Sequence, residues 1–465
     1  MPDPFDLVII GGGPAGYVGA IRAAQLGLRT AVVERDKLGG ICTHWGCIPT
    51  KAMLHTAEWL ERLKDAQAMG LDVGPVSVNM ARLHERKAAV VERLHKGIQY
   101  LMRKHQIDVF AGSARFRSPT RIGVALNDGS DTELEAKHTL IATGSAPRSI
   151  PGVTIDNRRI LDSTGALSLT EIPRSVVILG SGAVGVEFAS LFSALGTEVT
   201  LVELLPTVLP LEDQEIGKGL ERIFSRKGMK VYTGTAASSA TPRGERVAIA
   251  MKRGDEPLEA EADYVLVAVG RAPLVDGLGL EDAGIAVERG AVKVDAEFRT
   301  SVPQVYSVGD VNGGAFRLAH VASDEAIHAV ETIAGHEHPP LNYQAVPRPT
   351  FSIPQVATMG LSEEQARKDG FDVKVGRFPF SASSKAAIEG ERDGFVKVVS
   401  DARTGEILGI HMLGPSVTEL LAEGVAVKYL EGTVVEIGGA VHSHPTLSEA
   451  VKEAALDALG RVIHI

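Results

Sequence analysis

Apolar residues in this chain fall into short unbroken runs, separated by stretches where they recur with helical spacing. The first run, Phe5–Ile10, predicts a strand. It enters Gly11-Gly12-Gly13-Pro14-Ala15-Gly16, and the helical spacing that follows runs to about Leu26. Gly27 closes that helix, and residues 30–33 form the next strand, ending at Glu34. The result is a βαβ unit with glycines at 11, 13 and 16. The first allows the tight turn, the second lets a pyrophosphate approach, and the third packs helix on strand.

The pattern then repeats. Residues 176–179 predict a strand, Gly180-Ser181-Gly182-Ala183-Val184-Gly185 follows, a helix reaches about Leu195, and the strand Glu198–Val202 ends at Glu203. From Gly11 to Glu34, and again from Gly180 to Glu203, is 23 residues. A carboxylate at that distance suits a ribose hydroxyl. Glycine-rich turns alone are common, but strand, helix and acid are all present, twice. Two dinucleotide sites are expected. Glu203 would repel a 2′-phosphate, and the following Leu204 and Leu205 provide no Arg to neutralise one, so the second site should prefer NAD to NADP. The alternative for Glu203 is a solvated strand end.

Between and beyond these units, helices are predicted over 52–68 and 79–105, and strands over 110–116, 122–126 and 139–141. The last strand enters Ala142-Thr143-Gly144-Ser145, where small residues admit a ligand or simply make a tight turn. The strand over 264–269 leads into Gly270-Arg271, and that over 305–308 into Gly309-Asp310. Asp310 either faces a ligand beyond the sheet edge or caps the helix starting near Ala319. From about residue 346 the texture changes. A strand is predicted over 371–378, a hairpin over 394–399 and 407–413, and a helix over 416–430, with no phosphate loop. The region's expected work is association and completion of an active site. It ends in His442-Ser443-His444-Pro445-Thr446-Leu447-Ser448-Glu449 and a closing helix. His444 held in one tautomer by Glu449 is a candidate proton carrier. The competing reading is a surface His beside an ordinary helix cap.

Composition narrows the classes. The length suggests two to four domains. A formal net charge of −10 argues against a broad nucleic-acid or anionic-membrane surface. No run of 18 apolar residues occurs, and no charged segment or cleavage site precedes the first strand, so a cytoplasmic protein is expected.

The only two cysteines stand in Gly39-Gly40-Ile41-Cys42-Thr43-His44-Trp45-Gly46-Cys47-Ile48-Pro49-Thr50-Lys51. A disulfide needs Cα atoms roughly 4.4–6.8 Å apart, whereas residues five apart on a regular helix lie about 8.7 Å apart. A bridge therefore requires bent backbone, which Gly46 permits. Pro49 suits a first helical turn, placing Cys47 near a helix N-terminus, where a thiolate is stabilised. Two inert buried cysteines, or half a metal site, remain open on spacing alone.

Taken in order, GGICTHWGCIPTK, ATGSAPR, GSGAVGVEF, VAVGRAP, SVGD, LAH, HMLGP and HSHPTLSEA resemble the pyridine nucleotide-disulfide oxidoreductases over essentially the full length. The resemblance implies an α/β fold: two Rossmann-like dinucleotide-binding domains, for FAD and NAD, plus an α+β C-terminal dimerisation domain. It places the FAD domain at 1–148 with 275–343 returning to it, the NAD domain at 149–274 and the interface domain at 344–465. Cys42 is then the thiol that exchanges with substrate, and Cys47 the one beside the flavin. FAD contacts are Gly11, Gly13, Gly16, Glu34, Lys51, Ala114, Thr143, Gly144, Asp310 and Ala319. On the NAD side stand Gly180, Gly182, Gly185, Glu187, Glu203 and Gly270, with Glu187 pairing Lys51. His444 and Glu449 form an acid–base dyad that serves the other subunit of a homodimer. No metal is implied. Among members, the likeness is greatest to the branch serving 2-oxoacid dehydrogenase complexes, so the implied partner is the lipoyl domain of an acyltransferase.

Two stretches depart from the family pattern. Thr43-His44-Trp45 replaces the commoner Leu-Asn-Val, which repacks the loop or alters access to the flavin. Ser352-Ile353-Pro354-Gln355 replaces Thr-His-Pro-Glu.

Overall fold

The computed structural model describes residues 3–465. Its contacts divide the chain into two compact units. One comprises the chain up to Ala52 with 81–148 and 271–341; the other comprises 53–80, 149–270 and 342–465.

The first unit is built on a parallel sheet in the order Asp108–Ser118, Thr30–Glu34, Phe5–Ile10, Asp131–Ile141, Val305–Ser307. Register aligns Ile10 with Val33 and Ile141, and Ile141 with Ser307, so the glycine turn, Glu34, Thr143 and Asp310 follow neighbouring strand ends. The central strand is apolar from Leu7 to Ile10 because both faces are covered there. Leu7 and Ile9 pack with the helices Pro14–Gln25 and Ala319–Ile333. Val8 and Ile10 pack with Phe116, Ile122 and Val124 of an antiparallel layer. That layer is made by Arg121–Leu126 pairing with extensions of its two neighbours. The strand expected over 139–141 accordingly begins at Asp131. Its first half alternates polar and apolar residues, as a one-side-buried strand should, and does not form an apolar run.

The second unit holds the repeat and the C-terminal region. Its parallel sheet runs Lys230–Tyr232, Glu198–Val202, Ser175–Leu179, Tyr264–Val267, Ile160–Leu161. Three antiparallel strands, Thr235–Arg243, Arg246–Arg253 and Glu256–Ala262, cover one face, burying Val247, Ile249 and Met251 against Val177 and Leu179. The two outer strands are rich in Ala, Ser and Glu, which form strands poorly and gave little signal in the sequence. The region beyond 342 is a five-stranded antiparallel sheet, Arg348–Thr350, Gln355–Gly360, Ile407–Gly414, Phe395–Asp401, Val373–Pro379. The helix Glu449–Ala458 packs on it through Ala450, Val451 and Ala454.

The helix expected over 52–68 is Cys47–Lys64 followed by a separate turn, Ala66–Met69. The predicted Asn79 start falls one residue before Met80–Lys104, within the ordinary uncertainty of helix ends.

Candidate active site

The two glycine turns match atom for atom. Gly11 and Gly180 have φ of 107° and 97°, the left-handed region that only glycine enters freely. A Cβ on Gly16 would stand 1.8 Å from the Gly11 carbonyl oxygen, and one on Gly185 would stand 1.9 Å from that of Gly180. Gly13 and Gly182, by contrast, face open space. The helices that start beside them, Pro14–Gln25 and Ala183–Ala194, have no side-chain cap. Uncapped amides over an open glycine suit a phosphate, so both turns fit the pyrophosphate of a dinucleotide.

Both acids turn back onto their own loops. Glu34 Oε2 accepts the Gly12 amide at 2.7 Å, and Oε1 the Asp36 amide. Glu203 Oε2 accepts the Ser181 amide at 2.8 Å and its hydroxyl at 2.9 Å, and Oε1 the Leu205 amide. Glu203 is buried, so the solvated strand end does not hold.

The cysteine segment is tied to the first loop: the Gly39 amide donates to the Gly12 carbonyl at 2.7 Å. A short helix, Gly40–His44, ends at Trp45, and Cys47 opens the helix Cys47–Lys64. The bend between them brings the Cys42 and Cys47 side chains into hydrogen-bonding contact. That bond, then burial, then charge on Cys47 push the Cys42 thiol far above its ordinary range, while the Lys51 cation pulls the other way. Cys47 itself stands at a helix start, where a thiolate is stabilised. Gly46 has the tight contact expected of it, 2.9 Å from a hypothetical Cβ to the Ile41 carbonyl oxygen.

His44 and Trp45 repack this loop. His44 Nε2 contacts the Leu38 carbonyl at 3.0 Å, as does His95 Nδ1, and the His44 ring lies against both Trp45 and His95. Burial, with His95 beside it, holds His44 below the ordinary imidazole value. Nothing in the sequence linked His95 to this loop.

At the sheet edge, Thr143 donates to the Leu274 carbonyl at 2.7 Å, and the Leu274 amide to that of Gly144. Ser145 donates to Asp310 at 2.5 Å, and Arg271 Nε donates to Ser145 at 2.7 Å. Asp310 does not cap the helix Ala319–Ile333, whose N-cap position is Leu318, with no side-chain cap. The buried Glu325 accepts the Gly309 amide at 2.7 Å and so shapes this turn. It was missed because its partner is 16 residues away. Ala114 and Ala319 are half-buried at a strand and a helix start. Glu187 is buried and accepts the Phe351 amide at 3.0 Å, and Gly270 takes a φ of 116°.

In the second unit, His444 Nδ1 meets Glu449 Oε1 at 2.9 Å, while Glu449 Oε2 accepts the Thr446 amide at 2.8 Å. Burial opposes the Glu449 charge, yet the Thr446 amide and the His444 ring hold its carboxyl below the ordinary range. The His444 side chain is 68% exposed, so Nε2 is free to meet a substrate. Helix capping by Ser448 is not seen. A second dyad, His442 Nε2 to Glu423 at 2.8 Å, stands beside it and had no local signal.

Two matched dinucleotide cradles, with a dithiol bonded to the first, define a nucleotide-dependent thiol–disulfide redox protein. The family described as pyridine nucleotide-disulphide oxidoreductase matches residues 5–326, and its dimerisation domain matches 346–455; the chain belongs to this family. It is 43% identical over 474 residues to a dihydrolipoyl dehydrogenase of Bacillus subtilis, covering 100% of both chains. It is 42% identical to the mitochondrial dihydrolipoyl dehydrogenase of Schizosaccharomyces pombe, over 99% of this chain and 91% of that one. Among solved structures, LpdA from Mycobacterium tuberculosis superposes with a TM-score of 0.90 at 29% identity, covering 97% and 98% of the two chains. The Cu(II) complex of the HOCl-induced flavoprotein disulfide reductase RclA from Escherichia coli gives 0.87 at 28%, covering 97% and 99%. Among the described residues, no helix is long and apolar enough to cross a membrane.

Proposed function

We propose that this chain oxidises protein-bound dihydrolipoamide with NAD+, the reaction of dihydrolipoyl dehydrogenases, as a component of 2-oxoacid dehydrogenase complexes. The observation that carries it is the Cys42–Cys47 contact on a loop bonded to the first phosphate turn. Bound FAD supplies the two-electron carrier between the thiols and NAD+.

The protein's own part is thiol exchange. His444, oriented by Glu449, takes a proton from the substrate dithiol in a homodimer, serving the other subunit's cysteines. The substrate thiolate attacks Cys42 Sγ of the oxidised pair and expels the Cys47 thiolate. The second substrate thiol then attacks the substrate sulfur bound to Cys42, closing the substrate disulfide; Cys42 is released and its sulfur takes that thiol's proton. Substrate loses two electrons, and the enzyme disulfide gains them.

Gly11, Gly13, Gly16, Glu34, Lys51, Ala114, Thr143, Gly144, Asp310 and Ala319 hold FAD. Gly180, Gly182, Gly185, Glu187, Glu203 and Gly270 serve the NAD side. The functional division follows 1–148 with 275–343, 149–274, and 344–465. The lipoyl domain of the acyltransferase is the docking partner, and the cytoplasm the place of work.

A second reading, NAD(P)H-dependent reduction of another small disulfide, rests on the exposed His444, which any thiol could approach. Steady-state assay with dihydrolipoamide and NAD+, repeated with NADP+ and with oxidised glutathione plus NADH, separates the two. Turnover confined to glutathione would overturn the first.

A further inference from the structure

The helix Ala319–Ile333 ends where Gly335 turns the chain back at φ 78°, and the returning segment lays His338 over the last helical turn. The His338 and His328 rings have centroids 3.7 Å apart. His328 is 4% exposed and is closed on another side by the edge of Phe298 at 5.4 Å. Phe298 itself sits at φ 61°, strained for a bulky residue, beside Glu297. Glu297 Oε2 lies 3.0 Å from His328 Nε2, and one ligand atom from each of Glu297, His328 and His338 lies within 4.8 Å of the others. Among the described residues, this is the cluster of three that could hold a metal ion.

One buried atom distinguishes it from an ordinary hydrogen-bond chain. The Thr332 hydroxyl is 3.3 Å from Glu297 Oε2, 3.1 Å from the His328 carbonyl and 3.0 Å from His338 Nε2. It can donate to the carboxylate or the carbonyl while accepting from the ring. His338 Nδ1 is buried with no hydrogen-bond partner, whichever tautomer the ring adopts. Buried polar atoms are costly to leave unmatched. An unmatched buried imidazole nitrogen beside a second imidazole and a carboxylate is a donor set that suits a cation.

We propose that Glu297, His328 and His338 form a binding site for one divalent late first-row transition ion of the zinc class. Two imidazoles and a carboxylate are a donor set that such ions favour, and Thr332 orients the ligands from behind. The ion ties the last turns of the Ala319–Ile333 helix and the segment after it to the 295–299 turn. It takes no part in the electron path.

The test uses FAD-loaded full-length enzyme, chelator-stripped, in a Cys42→Ser/Cys47→Ser background that removes the thiols as competing ligands. Zn2+ is titrated against a chromophoric chelator, Co2+ absorption reports the coordination, and thermal midpoints are read with and without metal. One Zn2+ per chain is expected, with a raised midpoint. His338→Ala and, separately, Glu297→Gln should weaken binding about tenfold or more and erase the midpoint shift while the yellow, folded protein persists. Binding below one equivalent, binding found only when the cysteines are present, or an affinity in either variant equal to the parent's overturns the site.

Discussion

The carboxylate of Glu203 accepts both the amide and the hydroxyl of Ser181, at 2.8 and 2.9 Å, across 22 residues of chain. The acid is thus held against the turn where a pyrophosphate would lie, with its charge kept from solvent. Glu203→Gln keeps the shape but removes the charge and one acceptor. The expected outcome is a KM for NAD+ raised on the order of tenfold with kcat little changed, since a hydrogen bond to a charged group is worth about 1.5–3 kcal/mol. Discrimination against NADP+ should fall in the same variant. Steady-state kinetics with both nucleotides checks it; an unchanged NAD+ to NADP+ ratio would count against the ribose role.

The bond to Cys47 pushes the Cys42 thiol up, and in the exchange scheme proposed above Cys42 is the sulfur that substrate attacks. Cys42→Ser should abolish dihydrolipoamide turnover and leave a folded yellow protein. Full activity in the variant would end the exchange scheme.

His444 Nδ1 and Glu449 Oε1 are joined at 2.9 Å. His444→Gln should lower kcat about 10²–10⁴-fold if the ring moves a proton. Glu449 has a folded pKa below its ordinary value, so it is ionised throughout the neutral range. It contributes stability above its unfolded value and loses it only as pH falls through the lower folded one. A pH–rate limb that disappears in His444→Gln belongs to the ring. Glu449→Gln should shift that limb to lower pH, because an imidazolium loses its anionic neighbour. A limb that stays put would remove Glu449 from the dyad.

Lys397 is almost wholly buried and meets Asp213 at 3.0 Å, Glu215 at 2.8 Å and Glu363 at 2.9 Å. Arg377 adds bonds to Glu215 at 2.6 Å and to Glu363 at 3.0 Å. Arg377 first, and Lys397 after it, hold Glu215 down to about 2 against the opposing effect of burial. A depressed carboxyl contributes stability that is complete above its ordinary value near 4.5 and is lost as pH falls toward about 2. The thermal midpoint should drop across that window. Lys397→Met leaves three carboxylates facing one another and should cost about 3–5 kcal/mol near neutral pH. Its midpoint should depend less on pH in the acid range. A neutral-pH midpoint equal to the parent's would refute the cluster's structural role.

The chain's linear pattern determined what depends on neighbours along it. Apolar runs, glycine positions and the 23-residue spacing marked both nucleotide units, because turn sterics and strand burial act locally. The bend at Gly46 and a helix start near Cys47 were legible for the same reason, although the helical periodicity itself is legible only from Ala52. Packing alone decided the rest. The three strands between Thr235 and Ala262 are stabilised by what they cover, not by their own propensity. Glu325, His95 and Glu423 reach partners that the sequence leaves far away. The Glu297, His328 and His338 side chains meet only because Gly335 reverses the chain and the sheet brings 295–299 beside the helix. Such contacts depend on where whole elements come to rest, and no spacing along the sequence encodes that.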